Sequence, residues 1–158
     1  MNIEVDDLSF RVAEQKDIST LSELAEEFMP GVASREQREE VLKISMERPD
    51  YELLIVEEDG RVVGFVDQFI IEDFVHGAKL SYIQNLFVTK RYRGKGLGDL
   101  LLKQIVMSSK EKGVSEIHVA TEFENESAIK LYKKRGFLNE SLLLENNVKE
   151  QKSLKTTM

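Results

Sequence analysis

Asn85-Leu86-Phe87-Val88-Thr89-Lys90-Arg91-Tyr92-Arg93-Gly94-Lys95-Gly96-Leu97-Gly98-Asp99-Leu100-Leu101 passes from an apolar, β-type run through a glycine-rich loop into a helical pattern. Glycines at a strand-to-helix turn let the backbone bend sharply and approach a ligand closely. The first turn of the following helix offers N–H groups with no partner, at the positive end of the helix dipole. Arg91, Arg93 and Lys95 add charge suited to phosphate oxygens. A pyrophosphate is the natural occupant of such a loop. Two common phosphate loops do not fit. A nucleotide P-loop needs four residues between its glycines and then Lys-Ser or Lys-Thr. A dinucleotide fingerprint needs G-x-G-x-x-G after an early strand and an acid about 20 residues on. Here the spacing is G-x-G-x-G, several strands come first, and Glu116 falls at the start of its strand, out of reach of a ribose.

Before the loop, Ile18, Leu21, Leu24, Ala25 and Phe28 recur at helical spacing and Pro30-Gly31 ends them. Ser34 followed by Gln37 resembles a capping box for a second helix through Val41, Leu42 and Ile44. Residues 53–56 and 62–71 read as strands joined by Asp59-Gly60, a strong hairpin signal, and residues 80–88 continue the meander past His76-Gly77. After the loop, Leu100, Leu101, Ile105 and Val106 predict a helix that ends at Lys112-Gly113. Ile117, Val119 and Thr121 predict a strand, and Asn125 caps a helix carrying Ala128, Leu131 and Tyr132, closed by Gly136. Residues 137–144 read as a last clear strand, and Leu154, Thr156 and Met158 as one weak edge strand. Without repeats or linkers, residues 1–158 form one α/β domain.

Bulk composition narrows the function classes. At 158 residues, 41% hydrophobic and 32% charged, the chain suits one ordinary globular domain. It contains no cysteine, which excludes disulfides, cysteine metal sites and a cysteine nucleophile. No metal is expected. The acidic start Met1-Asn2-Ile3-Glu4-Val5 does not read as a signal peptide, and no apolar run approaches the roughly 20 residues of a membrane span. A cytoplasmic protein that engages neither membrane nor nucleic acid is expected. A net charge of −7 lacks the basic footprint of a nucleic-acid binder and is compatible with a cationic substrate.

Residues 83–137 resemble the core of the GNAT superfamily of acyl-CoA N-acyltransferases. Arg91-Tyr92-Arg93-Gly94-Lys95-Gly96 matches its R/Q-x-x-G-x-G/A motif. Residues 125–137, from Asn125 through Ala128, Tyr132 and Gly136 to Phe137, match its N-x-x-A-x-x-x-Y-x-x-x-G-F pattern. Together, in order and suitably separated, the two motifs are highly specific. The resemblance implies a mixed, mostly antiparallel sheet of six to seven strands flanked by about four helices, splayed between its fourth and fifth strands. It implies acetyl-CoA as co-substrate, with the pantetheine arm along Leu86, Phe87 and Val88. The pyrophosphate would lie on Arg93, Gly94, Lys95, Gly96, Leu97 and Gly98, with Asn125 and Ala128 helping to hold the cofactor. Tyr132 is implied as the donor to the coenzyme sulfur; a phenol with its ordinary pKa near 10 keeps its proton at neutral pH.

The base is less legible. The family's two usual carboxylate positions are Ala120 and the pair Gln84-Asn85, none of which can take a proton. Glu122 is the candidate base, with Glu124, Glu72 and Asp73 as the other nearby acids, and His118 as a residue flanking the site. Lys133 and Lys134 are candidates for a 3′-phosphate. The expected activity is acetyl transfer to a primary amine, with a small cationic amine such as a polyamine first. Protein N-terminal or lysine acetylation, or a non-catalytic acetyl-CoA sensor, are the alternatives. The acceptor is thus a small-molecule or peptide amine. Homodimers are common in the family, and oligomeric state is not read from the residues.

Overall fold

The computed structural model describes residues 7–149. In chain order these form β1 (Leu8–Val12), α1 (Ile18–Phe28), α2 (Arg35–Met46), β2 (Tyr51–Glu58), β3 (Arg61–Asp73), β4 (Ala78–Val88), α3 (Leu97–Glu111), β5 (Val114–Val119) and α4 (Glu126–Lys134). Local chemistry sets most of the boundaries. Ser34 Oγ accepts from the Gln37 N–H at 3.1 Å and Gln37 returns a bond to the Ser34 N–H at 2.8 Å, the reciprocal cap that starts α2. Asp59 and Gly60 have φ of 49° and 76°, the two positive values a type I′ turn requires, so β2 and β3 are joined by the shortest hairpin loop. The Asn125 side chain accepts from the Ala128 N–H at 3.2 Å and caps α4.

The strands form one sheet in the order β1-β2-β3-β4-β5. The first four are antiparallel neighbours and β5 runs parallel to β4. Two features of β4 prepare the site. Its ladder with β5 ends at Ile83↔Val119, so residues 84–88 extend past β5 with that edge unpaired among the described residues. Its register with β3 slips there too: Asp67 faces Asn85 while Gln68 faces Ile83, leaving Gln84 as the extra residue of a β-bulge. The expected splay between the fourth and fifth strands is therefore present.

Alternation along the strands builds two cores. On one face Val56, Val66, Ile83 and Val88 pack with Leu97, Leu101, Leu102 and Ile105 of α3. On the other, Leu53, Ile55, Phe65 and Phe87 pack with Leu21 and Leu24 of α1. Gly64 lets β3 lie close to β4, because a Cβ there would stand 2.9 Å from the Phe87 carbonyl oxygen.

The strand count differs from expectation. Five strands are present among the described residues, against six to seven expected. Residues 137–144 form no strand: the run finds no ladder partner among the described residues, and Leu138, Leu142, Leu143 and Leu144 are exposed. An apolar run makes a strand only where its backbone N–H and C=O groups find a neighbouring edge. The weak strand expected at residues 154–158 lies outside the described residues. No described helix is long and apolar enough to cross a membrane.

Candidate active site

The glycine loop leaves β4 through a 3₁₀ turn at Lys90–Tyr92 and enters α3 at Leu97. Gly94 and Gly96 both adopt left-handed φ, 75° and 82°, and Gly96 is the N-cap of α3. A side chain at either would be strained by its backbone rather than by crowding, since nothing lies within 4 Å of a Cβ there. With glycine as cap, no side-chain oxygen covers the helix end. The first Leu100 N–H bond goes back to the Gly96 carbonyl at 3.1 Å, so the N–H groups of Leu97, Gly98 and Asp99 precede the helical ladder.

The basic residues divide into two groups. Lys95 and Arg91 flank the Tyr92 ring, at 5.5 and 5.9 Å from its centroid. Arg93 instead turns back on β4: its Nε donates to the Val88 carbonyl at 2.8 Å and its guanidinium lies 5.2 Å from the Phe87 ring. Glu27 of α1 ties the start of the loop down, accepting from Thr89 Oγ1 at 2.8 Å and from the Lys90 N–H at 2.9 Å. Those donors hold the Glu27 carboxyl below its ordinary range.

α4 is fastened to the loop's helix. Arg135 donates through Nε and one terminal nitrogen to the two oxygens of Asp99, at 2.6 and 2.8 Å, and Lys134 reaches the same carboxylate at 3.3 Å. Asp99 is pushed down to about 2, first by the Arg135 hydrogen bonds. Lys133 pairs with Glu140 at 2.8 Å. Tyr132 packs beside Leu131 against the α3 core, with its ring 5.7 Å from that of Phe137. Burial raises its pKa, and its hydroxyl meets no hydrogen-bond partner among the described residues.

The structure thus brings together the free β4 edge at Leu86, Phe87 and Val88, the loop from Arg93 to Gly98, and Tyr132 through α4. Asn125 spends its side-chain oxygen on the α4 cap, and Ala128 supplies the N–H it accepts. Glu122 and Glu124 sit in the exposed turn between β5 and α4. Glu72 is exposed at the far end of β3, while Asp73 holds the turn at His76 and is lowered by that histidine.

One acid was not anticipated. Asp67 lies on the α1/α2 side of β3, 8% exposed, next to the bulge. It accepts from the Tyr51 hydroxyl at 2.7 Å, from the Asn85 N–H at 2.8 Å and from the Asn85 amide at 3.1 Å. Burial pushes the Asp67 carboxyl up against the opposing pull of those donors, and pushes the Tyr51 phenol up as well. Phe65, Asp67 and Phe69 share a face by alternation, so a lone acid on a core-facing stripe was the signal available in the sequence.

The edge and the helix start together fit a pantetheine–pyrophosphate ligand: a stretch of β4 past Ile83 whose β5-facing edge has no strand partner among the described residues, for an amide-bearing arm, then uncapped N–H groups flanked by Arg91 and Lys95 for phosphate. Comparison with known proteins agrees. The model of the acetyltransferase (GNAT) family matches residues 18–137. The chain is 26% identical over 133 residues to the uncharacterized N-acetyltransferase YhfO of Bacillus subtilis, covering 82% of this chain and 89% of that protein. It is 31% identical over 91 residues to a putative [ribosomal protein bS18]-alanine N-acetyltransferase of the same organism, covering 58% of this chain and 56% of the relative. A Trypanosoma brucei acetyltransferase crystal structure shares the fold with a TM-score of 0.77 at 24% identity, over 90% of this chain and 100% of that one. With the motif loop, the split sheet and the family match all in the same segment, the chain belongs to the acetyltransferase (GNAT) family and is an acetyl-CoA-dependent acetyltransferase.

Proposed function

We propose that this enzyme acetylates a primary amine on a small cationic molecule, of which a polyamine is the model. The observation that carries this is the buried Asp67 carboxylate, which has no cationic partner among the described residues and stands where β4 and β5 part. The net charge of −7 adds a field that draws cations toward the molecule.

In this reading Leu86, Phe87 and Val88 offer backbone groups to the pantetheine arm, while the N–H groups from Gly94 to Gly98 and the charges of Arg91 and Lys95 hold the pyrophosphate. Arg93 stiffens the end of β4 beneath that arm. Asn125 and Ala128 fix the start of α4 so that Tyr132 is aimed at the gap. Bound acetyl-CoA supplies an acetyl thioester; transfer to an ammonium-bearing substrate forms one C–N bond, breaks one C–S bond and releases the thiol and one proton. Tyr132 keeps its proton at neutral pH and holds it at Oη for the departing sulfur. Glu122, on the exposed turn after β5, is the candidate to take the amine's proton.

A second reading, acetylation of a protein N-terminus, is favoured by the 31% identity to the putative ribosomal-protein alanine acetyltransferase. Release of free thiol from acetyl-CoA separates the two. Small diamines and polyamines should be acetylated with higher kcat/KM than peptides with a free N-terminal alanine. Turnover confined to the peptides would replace the first reading by the second, and turnover on neither would remove both.

A further inference from the structure

Four rings stand in register across four strands. Tyr51 of β2 pairs with Phe69 of β3, Phe69 with Tyr82 of β4, and Tyr82 with His118 of β5. Residues directly opposite in a ladder share a face, so the rings form one row across the sheet on the α1/α2 side. Tyr51 and Phe69 lie 4.9 Å apart between centroids, and Tyr82 and His118 lie 4.8 Å apart. All four are only half-buried, although Leu53 of β2, Val66 of β3 and Ile83 of β4 are buried nearby. The row lies one residue from Ile83↔Val119, the last pair before the strands separate.

Asp67 stands next along β3 on the same face, between the row and the open end of the sheet. Its partners, the Tyr51 hydroxyl and the Asn85 amides, are all neutral. A buried carboxylate with only neutral donors leaves an uncompensated negative charge, which a cation can relieve. Aromatic faces attract cations too. The row already seats one: the Arg48 guanidinium lies 5.5 Å from the Phe69 ring centroid, steadied by two hydrogen bonds to Asp50 at 2.9 and 2.7 Å.

We infer that the row Tyr51-Phe69-Tyr82-His118, with Asp67 at its head, is the acceptor seat, and that it selects amines carrying a second positive charge. The inference rests on the reading of the protein as an amine acetyltransferase and adds which residues choose the amine. The second ammonium of a diamine lies along the rings and is drawn by Asp67, while the reacting nitrogen faces the gap between β4 and β5. The carboxylate that β4 lacks, where Gln84 and Asn85 stand, is thereby supplied from β3 by the residue paired with Asn85.

The test compares kcat/KM for 1,4-diaminobutane with that for butylamine, which has the same chain and no second charge. Wild type should prefer the diamine by about tenfold or more, and Asp67→Asn, which keeps the hydrogen-bonding shape but not the charge, should abolish most of that preference. Affinity for coenzyme A, measured by calorimetry, should be unchanged in Asp67→Asn, since the Asp67 side chain bonds Tyr51 and Asn85 and none of Leu86, Phe87, Val88 or the glycine loop. If Asp67→Asn does not fold, Phe69→Leu reads the same ratio, with an expected loss of about three- to fivefold. An active wild type with no diamine preference, or variants that retain it, overturns this inference and leaves amine acetylation standing. A wild type that acetylates no amine at all overturns both.

Discussion

Tyr132, the proposed proton donor, sits in surroundings that suit that role. Its ring is fixed between Leu131, Phe137 and the α3 core, and burial raises the phenol above its ordinary value, so the proton stays on at any physiological pH. Its hydroxyl bonds to no described residue, which leaves it available to an incoming sulfur. Tyr132→Phe removes only that oxygen. We expect kcat to fall by about 10²- to 10⁴-fold, the usual range for a positioned acid, with the melting temperature little changed. Stopped-time assays of thiol release beside a thermal melt check this; an unaltered kcat would reassign Tyr132 to packing. The motif made Tyr132 legible in the sequence. Asp67 and Tyr51 were not, because their meeting depends on the β2–β3 register and on a bulge at Gln84, neither of which leaves a local mark.

At the scale of elements, the short-range signals were reliable. The Asp59-Gly60 hairpin, the Ser34–Gln37 cap and the Asn125 cap are each settled within four residues, and each formed where the sequence placed it. The strand expected over residues 137–144 depends on a distant edge, and apolar patterning does not report whether that edge is present. The same limit affects the basic run on α4. Lys134 stood in the sequence only as a candidate for a 3′-phosphate, yet with Arg135 it anchors α4 to the first turn of α3 through Asp99. Asp99 is depressed to about 2 from an ordinary value near 3.8. A depressed acid stabilises the fold fully above its unfolded value and loses that contribution as pH falls through the folded one. Asp99→Asn should therefore melt below wild type at neutral pH. The gap should narrow from about pH 4 downward and close near pH 2. Melting curves across that range decide it, and a gap independent of pH would mean that the ion pair does not hold the two helices.

Across the whole molecule, one sheet divides two tasks between its faces and ends. α3 and α4 close one side and present the glycine loop, whereas α1 and α2 cover the other side and leave the aromatic row half-open. Glu27 joins the halves, reaching from α1 to the first residues of the loop. In the proposed function the two sites meet where β4 runs on past β5, with the donor along the free edge of β4 and ending on the start of α3. Amide hydrogen exchange with and without coenzyme A tests it most directly. Bound coenzyme A should slow exchange in residues 84–88 and 94–99 and leave β1 and β2 unaffected. Protection elsewhere, with those two segments unchanged under saturating coenzyme A, would place the donor off this edge.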